Sequence, residues 1–336
     1  MRNARLRTRH KKTLGITVTA AFVLAASACS STGGAQTEAP SAAAPAGAPG
    51  GTSYTIQMVT HETPGDTFWD KIRAGAEAAA KKDGIKLQYS NNPQAAGQAG
   101  LINNAVDSKV DGIATTLATP DALSSAVKAA TAAGIPVVAF NSGINAYSDT
   151  SALQYFGSDE DLAGQTVGER LASEGAKKTL CVIQAEGSVA LEARCAGVKK
   201  GQPSTENIQV NGADIAAVTA TLQAKLSQDK SIDSVVTLGA PIALAALQSK
   251  SDASSKAKVV TFDLNAEAAK AIQEGTIEFS VDQQPFLQGY LAVDSLWLYL
   301  TNRNEIGGGK ATLTGPSFVD KSNIDKIAEF ADKGTR

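Results

Sequence analysis

The stretch "DGIATTLATPDALSSAVKAATAAGIPVVAFNS", residues 111–142, indicates the fold class most clearly. A short run of apolar and β-branched residues comes first, an Ala-rich segment follows it, and a second apolar run, "IPVVAF", comes near the end. Asp121 is expected to cap the helix and Gly134 to end it, because these residue types are favoured at such positions. A strand, a helix and a strand of these lengths predict one βαβ unit of a parallel sheet.

The same alternation runs through most of the chain. Further predicted strands, each with a helix after it, are "YTIQMVT", "IKLQYS", "TLCVIQA", "NIQVNG", "SVVTLG", "KVVTFD" and "IEFSVDQ". Because the series occurs twice in succession, it predicts an α/β fold with two doubly wound parallel-sheet, Rossmann-like lobes joined by a hinge. Lobes of this kind bind ligands at the loops that leave the carboxyl ends of their strands.

Residues 1–29 have the three regions of an export signal. Six Lys and Arg residues and no acidic residue precede the apolar core "LGITVTAAFVLAA", which is too short to span a bilayer permanently. The segment ends in "ASAC", residues 26–29, which resembles the lipobox of bacterial lipoproteins. That resemblance implies a diacylglycerol on Cys29. An ordinary cleaved secretory peptide with an incidental Cys29 is the alternative.

Residues 30–52 are rich in Gly, Ala, Pro, Ser and Thr and contain almost no large apolar side chain. Such a segment cannot bury enough surface to offset the entropy lost on ordering, so we expect a disordered tether. A tether after a lipidated cysteine would hold the remaining chain at the extracytoplasmic face of the cell membrane.

The charge and cysteine content narrow the function of residues 53–336. Once the signal is removed, 25 Lys and Arg stand against 33 Asp and Glu, and this acidic balance argues against a nucleic-acid partner. Two cysteines remain, Cys181 and Cys195, separated by 14 positions. In an exported protein such a pair is most simply a disulfide, and two buried thiols are the alternative.

The loops at the strand ends lack the usual motifs of an enzyme. No G-x-G-x-x-G follows the first strand, no G-x-S-x-G occurs, and "GGGKAT" at residues 307–312 lacks the spacing of a phosphate loop. His61 is the only histidine after the signal, so neither a catalytic triad nor a zinc site is well supplied. We therefore expect no enzyme, no cofactor and no metal, and either a loop or a ligand as the hydrogen-bond partner of His61.

Several segments resemble, in their order and spacing, the segments of a known protein family. They are "DTFW" at residues 66–69, "GIPVVAFNS" at 134–142, "ALEARCAGV" at 190–198, "VVTFD" at 259–263 and "QEGTIEFSVDQQP" at 273–285. On these segments residues 53 to about 333 resemble the periplasmic sugar-binding proteins of the ribose-binding type. These are type I periplasmic binding proteins of bacterial ABC sugar importers.

The resemblance implies a set of ligand-binding residues. The set, to which we add His61 for its position, is Asp66, Phe68, Trp69, Asn141, Arg194, Phe262, Asp263, Gln283 and His61. A sugar has an apolar face, which aromatic rings can cover. It also has a rim of hydroxyls, to which side chains with paired donors and acceptors can bond. Core packing is the alternative for Phe68 and Phe262, and a surface ion pair is the alternative for Arg194.

Two segments depart from the pattern of the family. Asn141 and Ser142 stand where the family has an Asp-Arg pair, and Gly239 and Ala240 stand where it usually has Asn-Asp. These changes remove a charge pair and one expected hydroxyl partner. The ligand is therefore expected to be a polyol different from ribose, or smaller than it.

The resemblance implies a lipid-anchored solute-binding protein that captures a monosaccharide or sugar alcohol and delivers it to an ABC permease, acting as a monomer. The expected lobes are 53–155 plus 285–311 and 156–284 plus 312–336. One alternative is a sensor of the same fold that feeds a chemoreceptor or kinase. A sugar-responsive repressor would begin with a helix-turn-helix rather than an export signal, and an exported α/β hydrolase would need the missing nucleophile motif.

Overall fold

The computed structural model describes residues 53–63 and 65–336. The export signal, Cys29 and the tether lie outside the described residues. No helix among these residues has both the length and the apolar character required to cross a membrane.

Twelve strands form two sheets in the described part of the chain. In chain order they are β1 Thr55–Thr60, β2 Lys86–Asn91, β3 Gly112–Thr115, β4 Val137–Phe140, β5 Tyr155–Ser158, β6 Thr179–Ile183, β7 Thr205–Gln209, β8 Ser234–Thr237, β9 Lys258–Phe262, β10 Phe279–Asp282, β11 Thr312–Gly315 and β12 Ser317–Asp320. In the inner strands the β-branched and apolar residues are almost all buried, as expected for strands with helices on both faces, whereas β2, β7, β11 and β12 are partly exposed.

Ten α-helices cover the sheets in the same part of the chain. They are α1 Phe68–Asp83, α2 Ala95–Asp107, α3 Pro120–Ala132, α4 Glu160–Ser173, α5 Val189–Gly201, α6 Ile215–Gln228, α7 Ala240–Asp252, α8 Ala266–Glu274, α9 Pro285–Asn302 and α10 Ala328–Asp332. Short 3-10 turns lie at 148–150, 306–309 and 324–326.

The two sheets have the same strand order. The first is β11-β5-β4-β3-β1-β2 and the second is β12-β10-β9-β8-β6-β7. All pairs are parallel except that of β10 with β12. Each sheet has helices on both faces, which gives four buried apolar clusters. The fold is therefore that of two doubly wound α/β lobes, as the alternation in the sequence predicts.

The chain crosses between the sheets three times. The crossings follow β5, follow β10, and separate β11 from β12. The boundaries expected from the sequence, at 155/156 and 311/312, would divide β5 and place β11 in the second lobe. Hydrogen bonding instead keeps β5 and β11 in the first sheet, so these two crossings lie near 158/159 and 315/316.

The helix within residues 111–142 begins two residues earlier than expected. Thr119 occupies the N-cap position of α3 without a side-chain cap bond, and Pro120 is the first helical residue. Proline suits that position because it has no N–H group, and an N–H at the first helical position would have no acceptor within the helix. Asp121 therefore lies in the first turn, and its predicted role as the cap is wrong. Gly134 follows the helix with φ +81°, a conformation that favours glycine.

Candidate functional site

Two strand ends, one in each sheet, hold a polar residue in a left-handed backbone conformation. Asn141 follows β4 and Asp263 follows β9, and each has φ of 64°. β4 and β9 occupy the same position in their sheets, so the two residues are equivalent by the internal repeat of the fold. Asn and Asp tolerate this conformation better than other non-glycine residues. Both side chains are buried.

Gln283 joins these two residues across the lobes. Asn141 Nδ2 donates to Gln283 Oε1 at 3.4 Å, and Gln283 Nε2 donates to Asp263 Oδ1 at 2.9 Å. The structure therefore brings three of the residues implied by the resemblance into one hydrogen-bonded chain.

Gln288, in the first turn of α9, also bonds to these residues and was not identified from the sequence. Its Oε1 accepts from Asn141 Nδ2 at 3.2 Å, and its Nε2 donates to Gln283 Oε1 at 3.0 Å and to Thr314 Oγ1 at 3.2 Å. The amide therefore contacts the first lobe and the crossings after β10 and β11. Its position just after a crossing, in an otherwise apolar helix, was the available signal.

Arg194 lies inside the protein rather than on its surface. The side chain is 3% exposed, and Nη2 donates to Glu160 Oε1 at 3.0 Å while Nε bonds to the other oxygen of the same carboxylate. The guanidinium carbon lies 4.8 Å from the centre of the Phe262 ring. The alternative of a surface ion pair is wrong, because the partner Glu160 is also buried. Phe262 packs in the core of the second lobe beneath the arginine.

Asp263 is an acid whose charge is disfavoured by its surroundings. Burial raises the pKa of Asp263 to about 7, although the positive charge of Arg194 and the hydrogen bond from Gln283 act in the opposite direction. A carboxylate held in this way gains from any additional donor that a bound molecule brings.

Three rings form one wall at the end of β1 and the start of α1. The Trp69 ring lies 4.8 Å from the His61 ring and 5.3 Å from the Phe68 ring, both edge to face. Trp69 is 4% exposed and belongs to the core beneath α1, whereas Phe68 is only partly buried. Core packing was the alternative for Phe68, but it describes Trp69 better than it describes Phe68.

His61 has a partner from its own lobe. Its Nδ1 lies 2.7 Å from Thr116 Oγ1. Burial lowers the pKa of His61 to about 4, so the imidazole is neutral at neutral pH. A neutral ring can donate or accept a hydrogen bond but does not supply a charge to the site.

Asp66 fixes the start of α1. Its Oδ1 accepts from the Phe68 amide nitrogen at 3.0 Å, which ties the loop after β1 to the first helical turn. Burial raises the pKa of Asp66, and that backbone bond opposes the rise. This bond orients the carboxyl group beside Phe68.

Two buried charges near this wall were missed in the sequence. Glu62 accepts from Tyr89 Oη at 2.6 Å, from Asn91 Nδ2 at 2.9 Å and from Arg73 Nη1 at 3.0 Å, so it is fully engaged within the lobe. Lys71, in the first turn of α1, is 5% exposed and is poorly engaged by comparison. Both could have been identified from the sequence by their positions, because Glu62 follows β1 and Lys71 lies in the first turn of the next helix.

The lobes also touch through backbone. The amide nitrogen of Val189, the first residue of α5, donates to the carbonyl oxygen of Ala118 in the loop after β3 at 3.1 Å. The strand ends of the two sheets therefore face each other at short range, with amides, carboxyls, an arginine and aromatic rings between them. Among residues 53–63 and 65–336 no group of His, Cys, Asp and Glu has the arrangement of a metal site.

Comparison with known proteins agrees with this architecture. Residues 56–304 match the family model of the periplasmic binding protein domain. A carbohydrate transporter from Acidothermus cellulolyticus 11B, solved in complex with myo-inositol, is 56% identical, with a TM-score of 0.83 over 85% of this chain and 100% of its own. An ABC transporter solute-binding protein from Burkholderia graminis C4D1M, in complex with D-arabinose, is 25% identical, with a TM-score of 0.73 over 81% of this chain and 96% of its own.

A curated relative gives the same result. The xylose/arabinose-binding protein XylF of Sulfolobus acidocaldarius is 25% identical over 302 residues, which cover 81% of this chain and 72% of that protein. The match to the domain family spans well over half of the chain, and the lobes and strand order fit it. The chain therefore belongs to the periplasmic binding protein family, as an extracytoplasmic solute-binding protein of the type I, ribose-binding kind.

Proposed function

We propose that this protein captures a cyclic polyol of the inositol type, or a monosaccharide of similar size, between its lobes. The observation that carries the proposal is the buried chain of Asn141, Gln283 and Asp263, which joins the strand ends of both lobes. Its amide groups offer donors and acceptors together, and the carboxylate offers acceptors. A ring with several hydroxyls satisfies such a set because each hydroxyl both donates and accepts.

The rest of the site supports the same ligand class. The partly buried ring of Phe68 is the first candidate for contact with the apolar face of the ligand. Trp69 and Phe262 are further candidates, although both also pack in the cores of their lobes. The end of β8 offers backbone groups rather than a polar side chain. The carbonyl oxygen of Leu238 accepts from Gln184 Nε2 at 3.1 Å, and the next residue, Gly239, has no side chain. This fits the expected loss of one hydroxyl partner relative to the family pattern.

The bound myo-inositol of the Acidothermus cellulolyticus protein makes inositol the first ligand to test. Residues 53–336, purified free of ligand, should show a melting temperature that rises with the concentration of myo-inositol and a saturable heat of binding. D-arabinose, D-xylose and D-ribose form the comparison panel. If no polyol or sugar shifts the melting temperature while an amino acid or nucleoside does, the proposed ligand class is wrong.

We further propose that the protein is held at the outer face of the membrane by a lipid on Cys29 and delivers its ligand as a monomer to an ABC permease. The signal-like segment and the tether support the anchor, and the transporters among the similar proteins support the permease. Cys29→Ala should release the protein from membranes in cell fractionation. Loss of polyol uptake on deletion of the gene, without loss of a chemotactic or kinase response, would separate importer from sensor.

A disulfide between Cys181 and Cys195 is proposed as well. Both side chains are buried, the Cα atoms are 5.8 Å apart, and the bond would join β6 to α5, the helix that carries Arg194. Thiol titration of the unfolded, unreduced protein should find no free thiol at these positions. Two free thiols per molecule would establish the alternative of buried thiols.

A further inference from the structure

Lys71 is a buried charge that its own lobe does not satisfy. The side chain is 5% exposed, although lysine is almost never this buried unless it is paired. Its single hydrogen bond to the described residues is a long one, 3.5 Å from Nζ to the carbonyl oxygen of Thr67. Among the same residues no carboxylate oxygen lies within 4.0 Å of Nζ. An ammonium group with three donors is therefore left with one weak partner.

The carboxylates whose charges act on this ammonium lie in both lobes. Burial lowers the pKa of Lys71. Among the carboxylates that oppose this, Asp263 of the other lobe has the largest effect, ahead of Asp66 and Asp70 of the same lobe, and Asp282 contributes less. Asp282 has its own ion pair with Arg336, at 2.6 Å. Asp263 is thus the carboxylate of the other lobe that most favours the charged form of Lys71. The two residues belong to different lobes and are not in direct contact.

We propose that Lys71 is a ligand-binding residue that determines specificity, its ammonium donating to a ligand hydroxyl that Asp263 holds from the other side. This inference rests on the proposed function. An ammonium only donates and a carboxylate only accepts, so the group between them must accept from one and donate to the other. A single hydroxyl, or two adjacent hydroxyls on a ring, meets that requirement.

The charge balance narrows the ligand further. Arg194 is neutralised by Glu160, and the two acids with the largest effect on Lys71 are Asp263 and Asp66. A bound uronic acid would add a further negative charge beside these two acids, in a region where unpaired charges are costly. The arrangement therefore selects an uncharged polyol with neighbouring hydroxyls over its acidic derivatives.

The test compares Lys71→Met with a matched control on the same helix. Methionine keeps the unbranched length but removes the charge and the donors, whereas Lys81→Met makes the same change at an exposed position of α1. Calorimetric titration with myo-inositol should show binding weakened about 10- to 100-fold for Lys71→Met, the range expected when a hydrogen bond to a charged group is lost. Lys81→Met should bind within about twofold of wild type, the scale of a neutral surface change.

A series of monodeoxy-inositols separates a ligand contact from a structural effect. If Lys71 contacts one hydroxyl, the analogue that lacks this hydroxyl should bind wild type and Lys71→Met with nearly equal affinity, while the other analogues keep the full difference. A uniform loss for every analogue would overturn the inference, as would unchanged binding of myo-inositol. Should Lys71→Met fail to fold by circular dichroism, Lys71→Gln is measured against the same series with the same criteria.

The two proposals fail in different ways. If wild-type protein binds no polyol, the proposed function is wrong and the role of Lys71 falls with it. If wild type binds myo-inositol and Lys71→Met binds it equally well, the role of Lys71 alone is wrong.

Discussion

At the scale of the residue, the site consists of groups whose burial is unfavourable in isolation. Asp263 is a carboxyl group with a raised pKa, and His61 is an imidazole with a lowered one. Residues of this kind cost stability because their charged forms lose water on folding. Their proposed role is to give a ligand directed polar groups, and the cost of burying them appears as a dependence of stability on pH.

The dependence has opposite signs for these two residues. The pKa of Asp263 is about 7 when folded, against an ordinary value of 3.8, so the folded state binds more protons and the stabilising contribution falls as pH rises from about 4 to about 7. The pKa of His61 is about 4 when folded, against an ordinary value of 6.5, so the folded state binds fewer protons and its contribution rises between about 4 and 6.5. In the wild-type protein the contributions of these two residues to the free energy of unfolding therefore change with pH in opposite directions.

Asp263→Asn and His61→Asn should separate these contributions. Relative to wild type, the free energy of unfolding of Asp263→Asn should rise with pH across the window from about 4 to about 7, with a slope approaching about 1.4 kcal/mol per pH unit. That of His61→Asn should fall with pH between about 4 and 6.5. Urea unfolding at half-unit steps of pH measures both. Curves parallel to wild type would show that the pKa of neither group changes on folding.

At the scale of the element, close helix pairs place the site residues. A Cβ atom on Gly164 of α4 would lie 2.0 Å from the carbonyl oxygen of Arg194 on α5, and one on Gly75 of α1 would lie 1.9 Å from that of Phe286 on α9. Such distances are far below van der Waals contact. The absence of side chains at these glycines therefore brings the helix carrying Arg194 and the helix carrying Gln288 to their positions.

Gly164→Ala should separate α4 from α5. Forced repacking of this kind costs about 1–3 kcal/mol, and ligand affinity should fall as well because the backbone of Arg194 is displaced. Gly100→Ala in α2 is the matched control, since an added Cβ meets no atom within 4 Å. It should stabilise the protein by about 0.4–1 kcal/mol. Thermal unfolding compares the two, and a Gly164→Ala protein as stable as Gly100→Ala would contradict the packing argument.

Elements with a strong internal pattern were predictable, and elements that depend on a distant partner were not. The sequence predicts a helix over 215–228 and another over 266–274, and the structure has both with these bounds. β11 and β12 were missed because each joins its sheet through a strand far away in the chain. Their pairing, rather than their composition, makes them strands.

At the scale of the whole molecule, closure depends on contacts that exist only when the lobes meet. The bond from the Val189 amide to the Ala118 carbonyl is one of these, and a ligand that touches both lobes is stabilised together with it. Val189 is the first residue of α5, where an amide has no partner inside the helix. The position can therefore lose its N–H without damage to the helix.

Val189→Pro removes this single donor. Proline is accepted at the first helical position, and Ser188 before it has an extended backbone that a following proline requires. Ligand affinity should fall about 2- to 10-fold, the net value of one hydrogen bond, mainly through faster dissociation. Val189→Ala keeps the amide and should bind as wild type in stopped-flow tryptophan fluorescence. Equal dissociation rates for the two variants would show that this bond does not contribute to closure.

The order of segments along the chain was enough to predict the fold class, because strands that alternate with helices bury their surfaces in a parallel sheet covered by helices, and the series occurs twice. It also indicated the loops in which Asn141, Asp263 and Gln283 lie, because strand ends in such sheets meet at one edge. Three relations became visible only in the folded molecule: Arg194 pairs with Glu160, Lys71 is buried where the charge of Asp263 acts on it, and Gln288 joins the crossings. Each links residues that are distant in the chain, so packing sets these relations rather than any local pattern.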